Sequence, residues 1–101
     1  MKGLNRLAAS AAMGLLALSA AHADAISDFY TGKSVTLIIS TGVGGGVDAN
    51  ARMVAKHMTN HIPGKPSIVP KNRTGAGHLQ ATNYMYNVAP KDGTSLTAIL
   101  P

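Results

Sequence analysis

The chain contains no cysteine and no glutamate among its 101 residues. Without cysteine, disulfides, thiolate metal sites, thiol nucleophiles and a lipid-modified cysteine anchor are all excluded. The only acids are Asp24, Asp28, Asp48 and Asp92. No nucleophile elbow is present, and no serine has a recognisable His–Asp arrangement. No catalytic set is visible, and the chain reads as a non-enzyme. No uninterrupted apolar run reaches the ~20 residues that a membrane-spanning helix needs. A basic run interleaved with aromatics is also missing, so nothing marks a nucleic-acid surface.

The formal charge is +5. Lys2 and Arg6 belong to a short basic start, and the other seven Lys and Arg against four Asp leave +3 on the remainder. These cations are scattered as Lys33, Arg52, Lys56, Lys65, Lys71, Arg73 and Lys91, which describes a mildly basic protein that attracts anions. After the basic start, residues 7–20 are rich in Ala and Leu and uncharged, and Ala21-His22-Ala23 offers small residues where a signal peptidase reads. Residues 1–23 therefore read as a secretory signal peptide cleaved after Ala23. That implies export, with the bacterial periplasm as the destination.

The stretch that organises the rest is Ser40-Thr41-Gly42-Val43-Gly44-Gly45-Gly46-Val47-Asp48. Before it lies Val35-Thr36-Leu37-Ile38-Ile39, short and largely apolar, which suits a strand buried on both faces of a parallel sheet. After it, Val47, Ala51, Val54, Ala55, Met58 and Ile62 form one helical stripe over about 47–61. Glycine in such a strand-to-helix turn lets another molecule approach the backbone, and a helix start with free N–H groups attracts anions. The turn reads as half of a site for a small carboxylate; a glycine turn without a ligand is the plain alternative. Asp48 falls in the helix's first turn. It either stabilises the glycine loop or holds a ligand ammonium or hydroxyl. Arg52, one turn further, reads as a surface residue.

Two nucleotide motifs are approached and missed. Gly32-Lys33-Ser34 resembles the end of a phosphate-binding loop, but Ser27 stands where the upstream glycine belongs, and the stretch precedes a strand. A dinucleotide fingerprint starting at Gly42 needs glycine where Val47 stands, and no acid follows at the expected spacing. No cofactor is therefore expected. His57 and His61 are spaced i, i+4 but lack a third ligand, so they read as solvated side chains rather than a metal site.

Residues 24–33 read as a polar lead-in. Ile62-Pro63-Gly64-Lys65-Pro66 stops the first helix. Ser67-Ile68-Val69-Pro70 is a second short strand, ending or lying at an edge because Pro70 cannot donate to a ladder. A second glycine-bearing turn follows in Lys71-Asn72-Arg73-Thr74-Gly75-Ala76-Gly77-His78. Asn72-Arg73-Thr74 matches a glycosylation acceptor, a match without meaning in a bacterial exported protein. A helix over about 78–88 places Ala81, Tyr84, Met85 and Val88 on one face, with Leu79 and Tyr86 on another. After the turn chemistry of Ala89-Pro90-Lys91-Asp92-Gly93-Thr94 comes a third strand over 95–100. The expected fold is α/β, a β-α-β-α-β parallel sheet with both glycine turns on the carboxyl edge, where ligands gather in such sheets.

Several segments together resemble the amino-terminal part of the tripartite tricarboxylate transporter substrate-binding proteins, the Bug receptors. They are Asp28-Phe29-Tyr30-Thr31-Gly32-Lys33, Gly44-Gly45-Gly46-Val47-Asp48 with Ala51-Arg52, and His61-Ile62-Pro63-Gly64-Lys65-Pro66. Asn72-Arg73-Thr74-Gly75-Ala76-Gly77, Ala81-Thr82-Asn83-Tyr84-Met85-Tyr86-Asn87 and Ala89-Pro90-Lys91-Asp92-Gly93-Thr94 complete the set. The resemblance implies a two-lobed periplasmic binding protein that closes on a small organic acid and delivers it to membrane permease subunits. Carried over, the ligand-binding positions are Ser40, Thr41, Gly42, Gly44, Gly45, Gly46 and Asp48 in the first loop, with Thr74, Gly75, Ala76 and Gly77 in the adjoining one. Ser40 and Thr41 depart from the family, many of whose members carry a proline and an aromatic there; hydroxyls suit a more polar ligand. The match covers residues 24–101 as a partial amino-terminal lobe, so a truncated receptor is expected. A non-binding truncated product and a small Rossmann-like enzyme fragment are the alternatives.

Overall fold

The computed structural model describes residues 24–100; the expected leader, 1–23, lies outside the described residues. The apolar run becomes β1, Ser34–Ile39, in which Val35, Leu37, Ile38 and Ile39 are buried. Its burial follows from its place. Strand β2, Ser67–Asn72, pairs parallel along one side, from Ser34 opposite Ser67 to Ile39 opposite Asn72. Strand β3, Ser95–Ala98, pairs parallel along the other, from Thr36 opposite Ser95 to Ile39 opposite Ala98. The order β2-β1-β3 makes an open, three-stranded parallel sheet with β1 in the centre.

The helices cover opposite faces. Helix α2, Gly46–Met58, lays Ala51 and Ala55 against Leu37 and Ile39, with Val47, Ile68, Leu96 and Ala98 around them. Two alanines one turn apart bring the helix close to the sheet. Helix α3, Leu79–Asn87, has Ala81 buried, and its Gln80 and Tyr84 share a recess with Ile38, whose side chain points away from that of Leu37. The chain steps from β1 to β2 across one face and from β2 past β1 to β3 across the other, as right-handed crossovers require.

The structure refines the sequence expectations in strands β2 and β3 and in the helix after β1. Strand β2 runs through Pro70 to Asn72. An edge strand tolerates a missing N–H, and the extension sets Asn72 beside Ile39. Strand β3 ends at Ala98, short of the expected 100. The first helix tightens into a short 3₁₀ turn over Thr59–His61. Only part of its apolar stripe is buried: Val54 is 53 % exposed, because the helix packs on β1 and β2 and turns that flank toward a groove beside β3.

Residues 24–30, read as a polar lead-in, are helical (α1). Phe29 and Tyr30 stack edge to face at 4.8 Å, and the Tyr30 hydroxyl donates to the Gly93 carbonyl at 2.9 Å. The Pro63-Gly64 turn packs beneath this helix. A Cβ on Gly64 would lie 2.5 Å from the Ser27 carbonyl oxygen, and its φ of +88° is left-handed. Glycine alone fits both demands. Among the described residues no helix is long and apolar enough to cross a membrane.

Candidate functional site

The loop after β1 leaves the sheet at its carboxyl edge. Ser40 is buried and still pairs with β3, its N–H donating to the Ala98 carbonyl at 3.0 Å. From Gly42 to Gly46 the chain is exposed. Gly44 has φ +93°, whereas Gly45, the residue preceding α2, is extended at φ −80° and ψ 171°. A Cβ at Gly42, Gly44, Gly45 or Gly46 would meet nothing. Close packing within the protein therefore accounts for none of these glycines; Gly44 alone answers a backbone need. The others leave Val43, 78 % exposed, as the one side chain between Gly42 and Gly46.

The loop is held from behind by Asp48, only 3 % exposed. Its Oδ2 accepts from the Gly44 N–H at 3.0 Å, and its Oδ1 accepts from Arg52 Nε at 3.0 Å and Asn72 Nδ2 at 2.9 Å. Arg52 Nη2 donates to Asn72 Oδ1 at 2.8 Å, and Asn72 Nδ2 also donates to the Thr41 carbonyl at 2.7 Å. The ring Asp48–Arg52–Asn72 thus joins the glycine loop, α2 and the end of β2. The Gly44 N–H, and after it the Asn72 amide and the Arg52 guanidinium, hold the Asp48 carboxyl below the usual aspartate range. A buried carboxylate with three donors is satisfied, so its contacts assign Asp48 the anchoring of the loop. Arg52 is exposed, as expected, and is also half of this ion pair.

Helix α2 has no side-chain cap at Gly45. The first N–H groups of a helix lack intrahelical partners, and here they open onto the glycine loop. At the root of the loop the hydroxyls of Ser40 and Thr41 are buried and have no hydrogen-bond partner. Both features favour an acceptor-rich ligand.

The second expected loop, 74–77, is exposed and begins just after β2. It is conformationally costly: Gly75, Ala76, Gly77 and His78 have φ of +132°, +50°, +58° and +73°. Such backbone suits glycine and is rarer at Ala76 and His78. A Cβ on Gly75 would lie 2.7 Å from Gln80 Oε1. His78 Nδ1 lies 3.3 Å from the Ser40 carbonyl; since a carbonyl only accepts, that contact places the ring proton on Nδ1. Asn72–Thr41 and His78–Ser40 bring the two loops together at the carboxyl edge. Thr74, Gly75, Ala76 and Gly77 themselves stand beside the first loop rather than within it.

Sequence reasoning gave Asn72 no role in the site, although it lies in a segment of the resemblance and in a glycosylation match, and it missed the pairing of Arg52. The i, i+4 spacing of Asp48 and Arg52 carried the signal. His57 and His61 are exposed, and among the described residues no three His or Asp side chains cluster as a metal site would need. Comparison with protein-family models, curated proteins and solved structures found no match to this chain.

Proposed function

We propose that the chain is the amino-terminal part of an exported, two-lobed solute receptor that binds a small organic carboxylate and passes it to membrane permease subunits. One observation carries the reading. The start of α2 is uncapped and faces outward through three consecutive glycines, Gly44 to Gly46, while the loop's own acid, Asp48, is turned inward and neutralised. An anion approaching from outside meets backbone donors and no exposed carboxylate. The unpartnered Ser40 and Thr41 hydroxyls at the loop's root, and the position on the carboxyl edge of a parallel sheet, support the same reading. The sequence resemblance to the tricarboxylate receptors supplies the second lobe, the exported location and the permease.

Hydrogen bonds to a charged group contribute roughly 1.5–3 kcal/mol each, and the helix end about 0.3–1 kcal/mol. Those values hold only where water is kept out, and the described residues form one wall of the site. A second wall is what the proposed opposite lobe supplies. Calorimetry with citrate, succinate and glutamate on a two-lobed version of the chain tests the reading. One acid binding in the micromolar range, weakened by Gly45→Val, is the expected result. Binding of none of the acids would favour the non-binding alternative.

A further inference from the structure

A second recess lies on the other face of the sheet. It has a volume of about 430 Å³. Its floor is Ile38, and its walls are Lys71, Asn72, Arg73, Thr74, Gln80 and Tyr84. Strand alternation explains the lining: Asn72 reaches the α2 face to join Asp48, so its neighbours Lys71 and Arg73 point toward α3. Lys71 stands opposite Ile38 in the ladder. The Arg73 guanidinium lies 3.9 Å from the centre of the Tyr84 ring. Stacking of this kind holds the guanidinium plane while leaving its N–H edges free to donate.

No carboxylate lines the recess. Of the four acids, Asp48 is engaged with Arg52 on the opposite face and Asp92 bonds Thr94 in the turn before β3. Asp24 and Asp28 are in α1, which packs at the Gly64 and Gly93 turns. Among the described residues, neither Lys71 nor Arg73 has an ion-pair partner. Two cations on alternate residues of one strand face, one of them held by an aromatic ring, therefore share a polar cavity with a hydroxyl and an amide. Both cations are exposed, and neighbouring cations of this kind raise the local concentration of anions.

We infer that this recess binds a small oxyanion carrying at least two negative charges, of which inorganic phosphate is the simplest. Arg73 supplies a planar fork for two oxygens, Lys71 a second positive charge, and Thr74 and Gln80 neutral donors. The volume suits a small anion or the charged end of a larger one. The inference does not depend on the carboxylate reading, whose donors are in the loop after β1 at the carboxyl edge.

The test is a titration of the ¹⁵N-labelled full chain with inorganic phosphate at constant ionic strength. Saturable shifts at the amides of Lys71, Arg73, Thr74 and Gln80 and at Arg73 Nε are expected. Arg73→Gln should weaken the apparent affinity at least tenfold, or about 1.4 kcal/mol, as should Lys71→Gln, since each removes a charge-assisted bond. Arg73→Lys should recover only part, because lysine lacks the stacked fork. Wild-type shifts confined to residues 42–48, unsaturating shifts spread over all cations, or unchanged affinity in folded Lys71→Gln/Arg73→Gln would each overturn the inference. Gly45→Val should leave phosphate binding intact, which separates this site from the carboxylate loop.

Discussion

Asp48 and Asn72, one in the first turn of α2 and the other at the end of β2, are joined by a 2.9 Å hydrogen bond. Through that bond the loop after the central strand is fastened to the neighbouring strand. Arg52 closes the ring from the helix, and the Gly44 N–H completes it from the loop. The acid that a sequence reader could mistake for a ligand contact holds the backbone from which a ligand would hang.

This fastening depends on charge. The Asp48 carboxyl is held below its ordinary value, and so is that of Asp92, through the Thr94 hydroxyl and N–H. A depressed folded-state pKa means that protonation opposes folding. The contribution is complete above the unfolded value of about 3.9 and disappears as pH falls through the lower folded values. The Gly44 amide resonance should therefore titrate with a midpoint below that of a free aspartate, and Asp48→Asn should abolish the transition.

The glycines of the loop divide by backbone angle. Gly44→Val should destabilise the loop by about 1–2 kcal/mol, because valine resists the left-handed region at φ +93°. Gly45→Val meets open space at a negative φ. It should cost less stability than Gly44→Val, only the poorer helix cap, while covering the helix start and weakening carboxylate binding by about tenfold, or ~1.4 kcal/mol. Thermal melts paired with calorimetry separate the two effects.

Gly64→Ala should lower stability by at least about 1–2 kcal/mol from the left-handed backbone alone. The 2.5 Å approach to the Ser27 carbonyl adds to that cost. Urea unfolding measures the loss, and an unchanged midpoint would mean that α1 does not dock on this turn.

Much of this architecture was legible in the chain. The β-branched run at 35–39 marked the central strand, and glycine turns marked the carboxyl edge, because local pattern and tertiary role coincide there. Asn72 was hidden because a strand reader stops at Pro70, and only the edge position of β2 carries the ladder past it. Helix α1 was hidden because its anchors, Gly64 and Gly93, are distant in sequence. Val54 belongs to the helical stripe yet stays exposed, since periodicity shows which face is apolar and not how wide the sheet beneath it is. The recess around Lys71 and Arg73 needed the strand to alternate and α3 to bring Tyr84 over it.

Among the described residues β3 has a partner on one side only. Beside its free edge runs a groove of about 480 Å³ that includes Val54, Met58, Leu96, Ile99 and Leu100. An open apolar edge of this kind templates pairing between chains. Sedimentation should show association that grows with concentration, and Ile99→Lys should shift it toward monomer. A monodisperse wild-type chain at high concentration would show the edge to be covered.

The most direct test of the carboxylate reading is a ¹⁵N titration of the full chain with citrate, succinate and glutamate. With one wall of the site present, the account predicts weak, saturable binding near the millimolar range, about −4 kcal/mol. The shifts should centre on the Gly45, Gly46 and Val47 amides, with Gly44 moving less because its N–H is already held by Asp48. Saturable binding whose shifts bypass residues 40–48, or no shift there at any acid concentration, would contradict it.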